Sequence, residues 1–329
     1  MFRLLCVIAA SVLVAFPVAA RCAGENLLAR MEPEARARLE AAANAVPYPT
    51  GNFWRAVRGD QVITIVGTYH LDDPRHAATL ATLRPMIESA TTVLVEAGPQ
   101  EEKALIDHMK RDPALMLITE GPTLVDMMAP ADWNALSAAL AARGVPSTLA
   151  ARFKPWYVNL MLAIPACTMT SPQTGRGLDG MVVATALKAG VPLRALEPYD
   201  TLFSLFDGMT TDEQLEMIKA TLALDARSAD FTVTLTEAYF AQQSRLIWEF
   251  MREQSYALPG YTKDRVDRDF ARMEGALMSA RNRNWLPVLT DAATDGPVFA
   301  AFGALHLAGN DGVLALLERD GFTLERLLL

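Results

Sequence analysis

The chain has 329 residues, 51% hydrophobic and 21% charged, with a formal net charge of −8. That composition is globular, and the length allows one or two domains with a sizeable core. The acidic balance and the lack of a dense Lys/Arg stripe argue against a nucleic-acid partner.

At the N-terminus, Arg3 precedes an apolar stretch from Leu4 to Ala20 that ends in small residues. This is the pattern of a secretory signal over residues 1–20, cleaved after Val18-Ala19-Ala20 or a few residues later. Residues 21–329 then form a single α/β domain in a periplasmic or secreted protein. No other stretch is long enough to cross a bilayer, so no membrane span is expected after cleavage. An uncleaved anchor is the alternative, because the apolar run is only slightly shorter than a span of about 20 residues; Pro17 favours cleavage. Cys6 leaves with the signal, so Cys22 and Cys167 allow at most one disulfide. As a nucleophile Cys167 has no local support, and it reads as a buried structural thiol.

Next in order, residues 32–45 read as a helix stopped by Pro47 and Pro49. Phe53–Val57 and Gln61–Val66 flank Arg58-Gly59-Asp60 as a β-hairpin. A helix is predicted over about Ala78–Ser89, and Thr92–Glu96 is a short strand ending in a carboxylate. Residues 100–166 are mostly helical, broken at Pro113, Gly121-Pro122, Pro130 and Gly144-Val145-Pro146. A Gly/Pro-rich loop spans Pro172–Gly177. The helix Leu178–Ala189 leads to a strand ending at Glu197-Pro198. Thr211 and Gln214 match a capping box that opens amphipathic helices to about Ser255. Another helix runs from Lys263 to Asp291, and the chain closes strand–helix–strand over Val298–Gly303, Val313–Arg319 and Phe322–Leu327. The layout suggests two β-sheet halves with surrounding helices and a shared cleft, carrying helical insertions around 100–166 and 211–291.

One short pattern occurs twice: VGTYH, ending at His70, and FGALH, ending at His306. Each follows a run that reads as a buried strand. Gly67 and Gly303 let the backbone turn sharply or let a ligand approach. The histidine three residues later is displayed at the sheet's mouth, where α/β proteins place ligands. Glu96 also ends a buried strand. Two imidazoles and a carboxylate can hold a divalent ion with open positions, which would lower the pKa of bound water towards ~7. Without a metal, the same residues can work as a His general base with Glu as its partner. His76 and His108 sit among charges and read as surface residues. Asp72 and Asp73 can orient His70 from behind. Glu197 mirrors Glu96 in the second half, Arg281 and Asn282 place donors late on a helix, and Asp179 reads as a helix cap. Nucleophile-elbow, P-loop, HExxH and dinucleotide fingerprints are missing.

The stretch AFGALHLAGNDGVLALLERDGFTLERL resembles the closing motif of the TraB/GumN family, which is related to the Tiki proteins and more remotely to erythromycin esterases and haem-binding lipoproteins. VGTYHLDD and VLVEAG are similar to its first GxxH and its glutamate, and GLDGMVVATALKAGVPLRALEP and SARNRNW to its middle motifs. The resemblance runs from about Trp54 to Leu327. It implies an α/β fold with a cleft and, on the Tiki pattern, a divalent-metal-dependent peptidase. His70, Glu96 and His306 match as ligands or catalytic groups, Gly67 and Gly303 as turn formers, and Arg281 and Asn282 as further matched positions. The expectation is a metallopeptidase acting on a peptide or small ester, its ion zinc, manganese, cobalt or iron. The alternatives are a metal-independent His/Glu esterase-type hydrolase, or a binder in which Tyr69 and His70 ligate haem or a metal without catalysis.

Overall fold

A computed structural model describes residues 22–169, 177–201, 203, 206 and 208–328. The signal segment 1–20 and all but the last residue of the Pro172–Gly177 loop lie outside the described residues.

The strands are β1 (Phe53–Arg58), β2 (Gln61–Thr68), β3 (Thr92–Val95), β4 (Leu193–Ala195), β5 (Val298–Gly303) and β6 (Thr323–Arg326). They join in one six-stranded sheet of order β4-β3-β5-β2-β1-β6. The expected halves are therefore interleaved: β5, from the C-terminal part, lies between β2 and β3. β1 and β2 form the expected hairpin, with Gly59 at φ +58° in the turn. β2, β3, β4 and β5 run parallel to one another. Their carboxyl ends therefore share one edge of the sheet.

Helices cover both faces, as parallel strands require. Along β5, Val298, Ala300 and Phe302 enter one core with Trp285, Leu289, Leu314 and Phe250. Phe299 and Ala301 enter the opposite core with Leu83, Ile87, Leu178 and Val182. The period-2 alternation of a strand assigns each side chain its face. A separate core of Leu124, Leu136, Leu140, Phe153, Val158, Leu162, Leu215 and Ile218 holds the predicted insertion together. Helices Pro130–Ala141, Pro155–Ala163 and Thr211–Asp225 supply much of it, the last from the second predicted insertion. The break predicted at Pro130 is present between the helices Leu124–Met127 and Pro130–Ala141, with Pro130 opening the second at the position where its missing N–H costs nothing.

The capping box falls one residue earlier than predicted. Thr210 is the N-cap, its hydroxyl accepting from Glu213 N while Glu213 Oε2 accepts from Thr210 N. Both Thr-x-x-Glu and Thr-x-x-Gln fit the pattern, and only the helix start chooses between them. Lys263–Ala292 is one continuous helix interrupted by a π-helical turn at Gly275–Ser279. Among the described residues, no helix is long and apolar enough to cross a membrane.

Cys22 and Cys167 form a disulfide, with Cα atoms 5.3 Å apart. Cys167 is thus not a free thiol. The bridge anchors the first described residues, which run beside the helix Ser228–Phe240: Glu25 N donates to Asp230 Oδ1 and Leu27 N to Thr234 Oγ1.

Candidate active site at the strand ends

Each of the four parallel strands delivers one titratable residue just beyond its carboxyl end: His70 after β2, Glu96 after β3, Glu197 after β4 and His306 after β5. Arg281 and Asn282 reach them from the long helix. The π-helical turn just before Arg281 carries one extra residue, which rotates all later side chains by about 100°.

Gly303 marks the centre. A carbon built on its Cα would lie 3.2 Å from Glu96 Oε1, 3.4 Å from His70 Nε2 and 3.7 Å from His306 Cδ2. The Gly303 amide donates to Glu96 Oε1 at 2.6 Å. Gly303→Ala is expected to push Glu96 and His70 apart and to lower activity much more than stability, read by comparing kcat with the thermal midpoint. Gly67 has a different reason to be small: its Cβ would meet Leu307 Cδ1 at 2.5 Å, so it permits β2 to pack on the turn that carries His306.

His70 is held from behind, but by neither Asp72 nor Asp73. Its Nδ1 is 2.9 Å from Asp179 Oδ2, and Thr68 Oγ1 donates to the other oxygen. Asp179 is therefore an orienting group rather than the expected helix cap: the N-cap is Gly177, and no side chain caps this helix. Asp73 instead pairs with Arg75. The helix Leu178–Ala189 is docked so that Leu178 N donates to Tyr69 O at 3.1 Å, and any Cβ on Gly177 would collide with Tyr69 O and His70 C. This contact could have been suspected from a glycine immediately before Leu-Asp at a helix start. The side chain of His70 is 68% exposed, and its Nε2 faces the Gly303 centre.

Tyr69 goes to the other side. Its hydroxyl meets Thr236 Oγ1, and its ring stacks on Tyr239. Neighbours on an extended segment diverge, so Tyr69 and His70 are not presented together to one ligand. His76 departs from its surface reading. It is fully buried, packed near Tyr69, Tyr239 and Phe240, with Nε2 3.1 Å from Leu71 O. His108 is half-buried against Tyr199 and Phe203.

His306 is buried. The Asn282 amide nitrogen donates to the carbonyls of His306 and Asp311, which leaves its oxygen to accept from His306 Nδ1–H at 2.6 Å. The Nε2 lone pair then accepts from Arg281 Nη1 at 3.2 Å. Arg281 also donates to Glu96 Oε2 at 2.7 Å and forms a bidentate pair with Glu197 at 2.6 and 2.8 Å. Trp285 Nε1 donates to Glu197 Oε2, and the Trp285 ring underlies the guanidinium. Glu197 thus joins the cluster as the mirror of Glu96.

These partners set the charges. The Asp179 hydrogen bond, against some burial, pushes the His70 imidazole up to about 9, with the Asp179 and Glu96 charges adding to it. Burial, helped by the Arg281 and His70 charges, pushes His306 down to about 4 against the pull of Glu96. Burial alone would raise the Glu96 carboxyl; the charges of His306, Arg281 and His70 and the Gly303 amide outweigh it and hold the group at about 2. Because His306 gains a proton only below about pH 4, Arg281, His70 and the amide keep Glu96 ionised at neutral pH.

The signs predict a stability profile. Glu96 contributes above its ordinary value of 4.5, and this is lost as pH falls towards about 2. His306, neutral in the fold, loses stability as pH falls from 6.5 through about 4. His70 contributes below 6.5, and that contribution is lost as pH rises through about 9. The thermal midpoint is therefore expected to peak near pH 6.5 and fall on both sides; calorimetry showing no drop between pH 6.5 and 3 would contradict the assignment.

Among the described residues, no three His, Cys, Asp or Glu side chains are arranged to hold a metal ion. The physical reason is Arg281, whose guanidinium already engages Glu96 Oε2 and His306 Nε2. Two of the three donors named for a divalent ion, Glu96 and His306, are thus engaged by an organic cation, while the third, His70, is paired with Asp179 instead. A groove of about 760 Å³ runs along β4 from Gly98 to Glu197, beside this cluster rather than over it.

Comparison with curated proteins returns no match. The family model described as TraB/PrgY/gumN matches residues 52–326, a span that includes every strand, both GxxH turns, Glu96, Asp179, Glu197 and Arg281. The chain therefore belongs to the TraB/PrgY/gumN family.

Proposed function

We propose that this protein is a hydrolase that cleaves an acyl bond, a peptide or small ester, by general-base catalysis at His70. The observation that carries this reading is the pairing of His70 Nδ1 with Asp179 Oδ2 at 2.9 Å while Nε2 faces the Gly303 centre. A carboxylate on one ring nitrogen fixes the tautomer and stabilises the imidazolium formed when the other takes a proton. Nε2 of His306 is buried and bonded to Arg281, so His70 has the accessible lone pair once deprotonated.

In this mechanism Nε2 of His70 accepts a proton from an attacking water as the water oxygen bonds to the acyl carbon. The imidazolium, held by Asp179, then returns that proton to the leaving nitrogen or oxygen. Glu96 stays a carboxylate and favours the imidazolium; Arg281 and the Gly303 amide hold Glu96 in place. The Cys22–Cys167 disulfide supports placement in an oxidising compartment, the periplasm or outside the cell, in keeping with the apolar N-terminal segment.

The test is a screen of peptide and ester substrates with wild type and His70→Ala, each dialysed against a chelator. Hydrolysis by wild type that is lost in the variant is the expected result. Equal rates in both proteins would sink the reading.

A further inference from the structure

We infer that the free edge of β4 is a docking site for an extended peptide, which pairs with it as an added strand and continues past Glu197 to the Gly303 centre. β4 is an outer strand of the sheet, bonded to β3 alone. Val93 N donates to Pro192 O and Leu196 N to Val95 O, so the main-chain groups of Pro192, Arg194 and Leu196 turn towards β3. Successive residues of a strand turn these groups to opposite sides. The N–H and C=O of Leu193 and Ala195 therefore point away from the sheet, and among the described residues they have no backbone partner. Such a row is a template for another strand. The opposite edge, β6, is blunted by the charges of Glu325 and Arg326, and Arg326 is tied to Thr50 and Gln242.

The groove of about 760 Å³ lies along this edge, between the start of the helix Pro99–Arg111 and the end of the helix Leu178–Ala189. Pro192 to Glu197 line it, which at about 3.3 Å per residue matches a guest of about six residues. Alternation also fixes the chemistry of the guest. Leu193 packs towards the core beneath the helix Leu178–Ala189, and Leu187 of that helix is 58% exposed in the groove, so one face of the guest meets apolar surface. On the other face stands Arg194, exposed and with no ion-pair partner among the described residues. Glu101, in the same groove, is turned back onto the Gly98 amide. A guest of alternating apolar and acidic side chains suits both faces. A second copy of the chain does not, because antiparallel pairing of two β4 strands through both outward residues sets Arg194 opposite Arg194. From the guest to the β5 end at Gly303 is three strand spacings, about 15 Å, which four or five further residues span. That last step rests on the hydrolase reading; the docking does not.

The probe is a fluorescein-labelled peptide of three Val-Glu repeats, titrated with His70→Ala so that it stays uncleaved, and read by fluorescence polarisation. It is expected to bind one peptide per chain. Two further peptides carry N-methyl groups on the valines or on the glutamates, which removes the backbone donors of one edge of the extended peptide at a time. One of the two is expected to bind about tenfold more weakly or worse, and the other as well as the parent. Weakening by the valine set marks antiparallel pairing, and by the glutamate set parallel pairing. Ala195→Pro in the same background removes an outward donor, keeps the bonds to β3 and places proline where an edge strand tolerates it. It is expected to weaken the parent peptide to a similar extent; should it fail to fold by far-ultraviolet dichroism, the methylated pair decides alone. No binding of the parent peptide overturns the inference, as do equal affinities of the two methylated peptides or a folded Ala195→Pro that binds normally. A homodimer that Ala195→Pro splits assigns the edge to a second copy and also overturns it. Docking as expected, beside a wild type that hydrolyses neither peptides nor esters, would sink the proposed function and leave the docking edge standing.

Discussion

His70→Ala is expected to lower kcat/KM for hydrolysis by about 10²–10⁴-fold, the usual worth of a positioned general base. The pH profile gives the sharper test. With His70 at about 9, most of the protein at neutral pH carries the imidazolium and only a small fraction is the active base. Activity is expected to rise about tenfold per pH unit through the neutral range and to level near pH 9. Asp179→Asn removes the hydrogen bond that raises the ring, so its rise should move towards the ordinary histidine value of 6.5 while the plateau rate falls. A merely structural Asp179 would change the amount of active protein without moving the midpoint. A wild-type rate that falls on raising pH from 7 to 9 would instead assign His70 the role of an acid.

The second large effect concerns the disulfide. It spans a sequence separation of 145 residues. On the chain-entropy account, closing a loop of that size restricts the unfolded chain by about 5 kcal/mol, and native bridges commonly yield 2–5 kcal/mol. The Cys22→Ser, Cys167→Ser double variant is therefore expected to lower Tm by roughly 5–10 °C, and a reductant should do the same to wild type. The bridge joins the N-terminal segment along the helix Ser228–Phe240 to the end of the helical insertion. Stability should fall while kcat at low temperature is kept. Unchanged Tm in both arms would mean that the reduced chain is already held by its other contacts.

The split between what was legible in the chain and what was not has a physical basis. Strands such as Val298–Gly303 and helices such as Leu178–Ala189 were readable because hydrophobic runs, glycines and prolines act locally. The GxxH turns were readable for the same reason, since a strand ending in glycine displays the residues just beyond its end. The sites of His76 and Asp179 were not. His76 has charged neighbours in sequence yet lies among aromatic rings, and Asp179 looks like a helix cap yet bonds a histidine 109 residues away.

Sequence by itself determined the α/β class, the apolar N-terminal segment and the family, together with His70, Glu96 and His306 as residues displayed at strand ends. Only the tertiary structure decided what those residues face. Parallel pairing of β2, β5, β3 and β4 brings four distant strand ends to one edge, and the helix after the π-helical turn then inserts Arg281 among them. Spacing along a chain specifies which side chains are offered. Which cation the carboxylates meet is set by long-range packing, and here that cation is a guanidinium.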